Sequence, residues 1–312
     1  MPQSRTDEST PARPQGLTAS IAGPLLAYAQ ILAAAAGDVT DTLSRRPAGD
    51  PFELRDPRYI QRTLPALRLS SDVYFRADVR GLEKIPAEGP VLLVGNHSGG
   101  TMIADTFVFS QAFLDHFGTT RPFYQLAHDM VFMFPGLRAL VQRYGTVPAS
   151  PANMARALDR DAALLVYPGG DQETFRPSWE SDRVDFAQRT GFVKLALEHG
   201  VPVVPVVAIG GQETALFLGR GRRVAEALRL KRLLRLSVLP PAVGPPLGMT
   251  VLDLPIRFPL PAKIEIRVLE PIDLRKRLGS RPDVHEGYRL VTSTMQRTLT
   301  RLSHQRKVPV VG

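Results

Sequence analysis

At 312 residues and 44% hydrophobic content, the chain can bury the core of one large domain, and no linker-like break divides its middle. It contains no cysteine, which excludes a disulfide framework, thiol catalysis and thiolate metal sites. Its net charge of +9 can serve nucleic acid, an anionic membrane or plain solubility, and a mean hydropathy of -0.07 points away from an integral membrane protein.

Residues 1–15 are rich in Ser, Thr, Pro and Arg and are expected to form a disordered tail. Residues 16–37 carry no charge and are long enough to cross a bilayer. Gly23, Pro24, Tyr28 and Gln30 weaken their hydropathy, so an interfacial or core-packed helix is expected instead. Asp7, Glu8 and the lack of a compact leucine-rich centre argue against a secretory signal. We read 16–70 as an N-terminal helical, membrane-associated segment and 71–312 as the main domain, with a cytoplasmic location peripheral to the membrane. Pro47, Pro51, Pro57 and Pro65 predict a loop-rich connection over 47–65, because proline breaks helices.

Val73 to Val79 alternates as a strand, and Gly81 to Gly89 is a turn. The apolar, β-branched run Pro90 to Gly95 predicts an internal strand of a parallel sheet, followed by a helix over Ala104 to Phe113. Ser150 and Pro151 open a further helix as N-cap and first-turn proline, and Gly200 closes one that starts near Gly191. Strands at Ala163 to Tyr167 and Val203 to Ala208 alternate with these helices, and Ala262 to Leu269 has the pattern of a half-exposed strand. Val284, Tyr288, Val291, Met295, Leu299 and Leu302 recur three or four apart and predict a final helix. The alternation predicts an α/β fold: a single domain with a mainly parallel, partly mixed sheet flanked by helices.

Between Gly219 and Leu236 lie Arg220, Arg222, Arg223, Arg229, Lys231, Arg232 and Arg235 against the single acid Glu226, interleaved with Val224, Leu228, Leu230, Leu233 and Leu234. This predicts a cationic amphipathic helix suited to an anionic lipid surface; an ordinary surface helix with a leucine face on the core is the alternative. Nucleic acid is not expected as a partner, because no zinc-finger spacing, aromatic RNA-binding block or heptad array accompanies the charge.

The residues that carry chemistry begin with Asn96-His97-Ser98-Gly99-Gly100 and Asp105. His97 falls at the carboxyl end of a predicted strand, where open α/β sheets keep their ligand sites. An imidazole there can take a proton from a bound hydroxyl if a carboxylate holds its other nitrogen, and Asp105 is the nearest candidate. The plainer alternative is a loop histidine beside an acid at a helix N-terminus. Gly169 and Gly170 end an apolar strand and either permit a tight turn or let a ligand reach the backbone; backbone N–H groups around Gly99, Gly100, Gly169 and Gly170 are candidate oxyanion donors. Glu173 either bonds an acceptor hydroxyl or caps backbone, and Arg176, Arg189 and Lys194 are either substrate cations or solvated surface charges. Glu213 is a candidate support for the site. His128-Asp129 is a rival pair disfavoured because adjacent residues do not face each other on a helix. The six histidines show no metal-binding spacing, so no metal is expected.

In order along the chain, the His97–Asp105 block, Tyr144-Gly145-Thr146-Val147-Pro148, Val166-Tyr167-Pro168-Gly169-Gly170, Arg189-Thr190-Gly191-Phe192-Val193-Lys194 and Val201-Pro202-Val203-Val204-Pro205-Val206 resemble the glycerolipid and phospholipid acyltransferase superfamily, over about residues 75 to 215. Two departures stand out. The family's aspartate usually follows the histidine by five residues, where this chain has Met102, so the resemblance passes the role to Asp105. The family's third block usually carries a phosphate-holding arginine where this chain has Gln172. Pro168-Gly169-Gly170, Glu173 and the Arg189–Lys194 run look like the diacylglycerol acyltransferase branch instead, without that branch's His-Pro-His-Gly block. The resemblance implies transfer of a fatty acyl group from acyl-CoA or acyl-carrier protein to the hydroxyl of a glycerolipid or lysophospholipid, with His97 as general base, Asp105 orienting it and no cofactor. A mono- or diacylglycerol acceptor, or a non-catalytic lipid-binding role, is the alternative. A lipid hydrolase is disfavoured because no Gly-x-Ser-x-Gly elbow occurs and Ser98 directly follows His97.

Overall fold

A computed structural model describes residues 49–308, leaving aside 134, 231, 233–235, 245–247, 251–252, 254–258 and 280. The expected tail and the uncharged stretch 16–37 lie outside the described residues.

The predicted α/β architecture is observed as a seven-stranded sheet in the order β1 (Asp78–Arg80), β10 (Glu265–Val268), β6 (Val203–Ile209), β2 (Val91–Gly95), β5 (Ala163–Val166), β3 (Phe123–Ala127) and β4 (Thr146–Pro148). Its centre is built from the runs that read as buried strands: β2, β5 and β6, buried at every position. A strand apolar on both faces needs cover on both, and two core clusters supply it. On one face lie α4 (Pro151–Leu158), α6 (Gly191–His199) and α9 (Val284–Gln305); on the other lies α2 (Ala104–Phe117), through Val108, Phe109 and Phe113. β3 and β4 extend the parallel set. β10 runs antiparallel to β6 and carries β1 parallel to itself, which makes the sheet mixed. As its alternation required, β10 buries Ile266 and Val268 and leaves Glu265 and Arg267 half-exposed.

Three expectations are corrected. The proline-rich connection contains α1 (Pro57–Leu69), with Pro57 in its first turn and Asp56 as N-cap accepting the Arg58 and Tyr59 amides at 3.0 and 2.9 Å. Pro65 is tolerated inside this helix because it and Gln61, the carbonyl left without its helical donor, are both on the exposed side, where water can bond that oxygen. The opposite stripe, Ile60, Leu64 and Leu67, packs against Leu114 of α2. The strand expected over Val73 to Val79 is shorter and later, because a wide helical turn over Ser70–Tyr74 continues α1. The segment 219–236 does not form one continuous helix: α7 spans only Arg222–Ala227, and Arg229 takes a left-handed φ of 53° that no helix continues through.

Sequence reading also missed a second sheet. Strands β7 (Leu216–Phe217), β8 (Ala242–Gly244) and β9 (Gly248–Thr250) pair antiparallel, and Phe217 and Ala242 cluster beneath them with Phe175 and Val238. Strands of two or three residues are too short for period-two alternation to register.

Candidate active site

The carboxyl ends of β2 and β5 define the site. The two strands run parallel with Val94 beside Val166, so the residues that follow each strand also sit side by side. Gly95 makes this possible: a Cβ there would lie 2.5 Å from Tyr167 Cε1. Tyr167 therefore lies flat under the next turn and stacks on His97, with ring centroids 4.1 Å apart and planes inclined by 19°. Its hydroxyl hydrogen-bonds to Thr106 Oγ1 at 3.0 Å, and burial beside Asp105 pushes that hydroxyl well above the usual phenol range. Asn96 closes the strand end: its side chain exchanges two 2.8 Å hydrogen bonds with the backbone of Ala208, as a strand residue would.

Between His97 and Asp105 the chain makes a tight loop. Gly99, Gly100 and Ile103 all have positive φ, at 91°, 67° and 33°, and this coiling carries the first turn of α2 back beneath the imidazole. His97 Nδ1 lies 3.4 Å from Asp105 Oδ2, an ion-pairing distance without a formed hydrogen bond. The Asp105 side chain is 1% exposed and that of His97 13%, so the carboxylate is sealed in while the ring keeps a window to the outside. Asp105 is fixed from four directions: Oδ2 accepts from the Ser98 amide and hydroxyl at 2.8 and 3.0 Å, and Oδ1 from the Thr106 amide and hydroxyl at 2.7 and 3.3 Å. Ser98, buried and bonded to this carboxylate, has no exposed hydroxyl with which to act as a nucleophile.

Glu173 and Arg176 form a second layer on α5 (Gly170–Thr174) and the turn after it. Glu173 is fully buried; Oε2 accepts the His97 amide at 2.9 Å and Oε1 the Asp185 amide at 3.0 Å. Burial pushes its carboxyl up to about 8 against the pull of Arg176. Arg176 is likewise buried, which lowers its affinity for its proton, and it donates to the carbonyls of His97, Glu173 and Ser181 at 2.7, 3.0 and 3.1 Å. Its guanidinium holds the His97 backbone and, at 1% exposure, is closed off from solvent. Arg189 clamps the turn before α5, donating to the carbonyls of Pro168 and Gly169 and to Asp171 Oδ1. Lys194 is exposed on α6. Of the candidate cations, then, two hold backbone and one faces solvent.

The glycines serve close approach within the protein. A Cβ on Gly169 would clash with Glu173 Oε2, and one on Gly100 with Asp253 Oδ2. Asp253 is itself buried and accepts the Thr101 amide and hydroxyl at 2.7 and 2.9 Å. Among the candidate oxyanion donors, the Gly99 amide bonds Gln212 Oε1 at 3.2 Å and the Gly170 amide closes the turn onto Tyr167 O at 3.1 Å. Glu213 pairs in a fork with Arg306, and His128 Nδ1 accepts the Met130 amide at 3.2 Å; neither joins the His97 cluster through these contacts. Asn96 and Tyr167 stood within the motif blocks without a role of their own, and Gln212 and Asp253 were given none; a strand end is the only local signal that Asn96 and Tyr167 carry.

Residues 76–209 match the acyltransferase family model. An uncharacterized protein of Mycobacterium tuberculosis is 30% identical over 307 residues, which cover 95% of this chain and 78% of that protein. Shorter matches join the chain to a bovine "DGAT1/2-independent enzyme synthesizing storage lipids", 29% identical over 48% of this chain and 43% of that protein, and to the chloroplastic phytyl ester synthase 2 of Arabidopsis thaliana, 32% identical over 42% and 19%. In fold, the chain resembles the 1-acyl-sn-glycerophosphate acyltransferase PlsC of Thermotoga maritima, with a TM-score of 0.51 and 17% identity over 92% of this chain and 97% of that one. The chain belongs to the acyltransferase family and is a member of the glycerolipid acyltransferase superfamily.

Proposed function

We propose that the protein moves a fatty acyl group from an acyl thioester, acyl-CoA or acyl-carrier protein, to the hydroxyl of a glycerolipid. The observation that supports this most is the His97 ring, held between Tyr167 and buried Asp105 with its edge open at the carboxyl end of the sheet. His97 Nε2 takes the acceptor's proton as its oxygen attacks the thioester carbonyl. Asp105 stabilises the imidazolium, and the C–S bond then breaks as that proton passes to the leaving thiolate. A thiol of pKa about 8.5 needs little help to depart. The co-substrate supplies the acyl group, and no further cofactor enters this scheme. The reaction is assigned to an anionic membrane surface, met by the arginines of 219–236.

We read the acceptor as a neutral hydroxyl, such as that of a mono- or diacylglycerol. The family arginine is replaced by Gln172, and Arg176 and Arg189 are held by backbone carbonyls, so none of these offers a fork to a phosphate dianion. The storage-lipid and phytyl ester enzymes among the relatives fit the same reading. One observation favours a lysophospholipid instead. Arg222 donates to Gln172 Oε1 at 2.7 Å and lines a cleft of about 500 Å³ with Arg229 and Arg232. Parallel kinetics with lysophosphatidate and diacylglycerol separate the two readings. A preference for diacylglycerol supports the first, and a large lysophosphatidate advantage that Arg222→Ala abolishes supports the second.

A further inference from the structure

Trp179 is the single tryptophan of the chain, and it is 67% exposed. Its neighbour Ser178 fixes its position: the Ser178 hydroxyl accepts the Phe217 amide at 2.9 Å and donates to the Ala215 carbonyl at 3.4 Å, so the turn carrying Trp179 lies along the edge of β7. Across the small sheet, Leu216 stands opposite Val243, and Val243 opposite Met249. Residues directly opposite share a face, while Phe217 and Ala242, one step along, point into the cluster beneath. The outer face is therefore an apolar row, in which Leu216 is 46% exposed and Met249 73%. Leu218, two residues beyond Leu216, is also exposed.

A contiguous row of this kind on the outside marks a binding surface, and its surroundings indicate the occupant. The chain leaves Leu218 directly into Arg220, Arg222 and Arg223, of which the last two are exposed, so apolar and cationic groups are presented together. Anionic phospholipid at a bilayer interface is complementary to both, and an indole there rests at headgroup level with its polar edge wet. The underside of the sheet leads to the site. Phe217 packs on Phe175 with centroids 6.1 Å apart, and a Cβ on Gly100 would come within 2.6 Å of the Phe217 ring.

We propose that the outer face of the β7–β9 sheet, with Trp179 at its edge, docks the protein on an anionic lipid bilayer. The inference rests on the reading that the acceptor is a lipid and adds the surface through which the site meets it. Because Trp179 is the only tryptophan, its fluorescence reports this edge of the sheet and nothing else. With the full chain, vesicles of phosphatidylcholine containing phosphatidylserine should shift the emission to shorter wavelength, and brominated lipid should quench it. The double variant Leu216→Ser, Met249→Ser should partition about tenfold less or weaker still, because burying one such side chain is worth at least that factor. The same variant should keep full transfer between water-soluble short-chain substrates. Vesicle binding with unchanged tryptophan emission, or emission already blue before vesicles are added, would overturn the proposal by placing the contact elsewhere or showing the face covered by the chain or a second copy. Loss of transfer in the soluble assay alone, with docking intact, would count against the proposed function and not against this surface.

Discussion

A histidine becomes a useful base only when its surroundings fix its tautomer, its tilt and its access to water. Around His97 two side chains and an opening meet these needs: Asp105 faces Nδ1, Tyr167 supports the ring face, and the side chain keeps 13% exposure. His97→Ala should lower kcat by about 10² to 10⁴ with the thermal midpoint nearly unchanged, as a general base is worth that factor; a purified variant retaining most of its rate would exclude the mechanism. Asp105→Asn should also lose activity, but with a stability cost, because Oδ1 and Oδ2 together accept four hydrogen bonds and an amide can accept at only one end. Glu173 gives a prediction in pH. Its folded carboxyl holds a proton up to about 8, whereas its ordinary value is 4.5, so between these limits the folded state binds more protons than the unfolded chain. Stability from this group is complete below the lower limit and is lost as pH rises through the upper one. Urea midpoints at both ends of the window should fall with pH in the wild type, and Glu173→Gln should flatten that fall.

At the scale of elements, the site is a consequence of two parallel strands ending level. Gly95 beside Tyr167 is the point at which that arrangement can be broken most economically, since a single methyl there lies 2.5 Å from the ring and Gly95 needs no positive φ. Gly95→Ala should therefore displace Tyr167 from under His97 and lower kcat more than it lowers stability; comparing turnover with the unfolding midpoint tests this. If both were unchanged, the Tyr167 stack would have no part in holding His97. Asn96 ties β2 to β6 through two hydrogen bonds in a fully buried place. Asn96→Asp turns a donor into an acceptor facing the Ala208 carbonyl and should cost on the order of 1–3 kcal/mol, measured as a lower urea midpoint at constant slope.

For the whole molecule, the positive charge is concentrated where the chain leaves the small sheet. Reversing Arg222, Arg223 and Arg232 should weaken binding to anionic vesicles by about 1 kcal/mol for each charge removed, and the loss should shrink in high salt. Arg220 is left out of this set because it already pairs with Glu180 at 2.9 Å and Asp185 at 3.5 Å, so its reversal would disturb the fold as well. Cosedimentation unaffected by the triple reversal or by salt would leave these arginines without a membrane role. Among the described residues no helix is long and apolar enough to cross a membrane.

The sequence by itself determined the sheet's core, because β2, β5 and β6 are apolar along their whole length and the intervening helices carry caps or periodic faces that local reading detects. It also marked His97, since a strand end is a local feature with a known place in α/β folds. It named Asp105 as the partner through the glycine pair, but the distance at which that carboxylate meets the ring is set by three left-handed residues in one short loop, the third of them Ile103, which no local pattern marks. It could not distinguish Arg176 from a substrate-binding cation: a buried guanidinium and an exposed one look alike until the carbonyls around them are assembled. The helix over 57–69 was hidden because Pro65 costs a hydrogen bond whose price depends on whether its carbonyl faces water, and the three-stranded sheet because its strands gain their stability from pairing and from the Phe175–Phe217 contact beneath, both of them long-range. Periodicity, caps and strand ends are properties of neighbours in sequence; burial, charge pairing and ring stacking between elements exist only once the chain has folded.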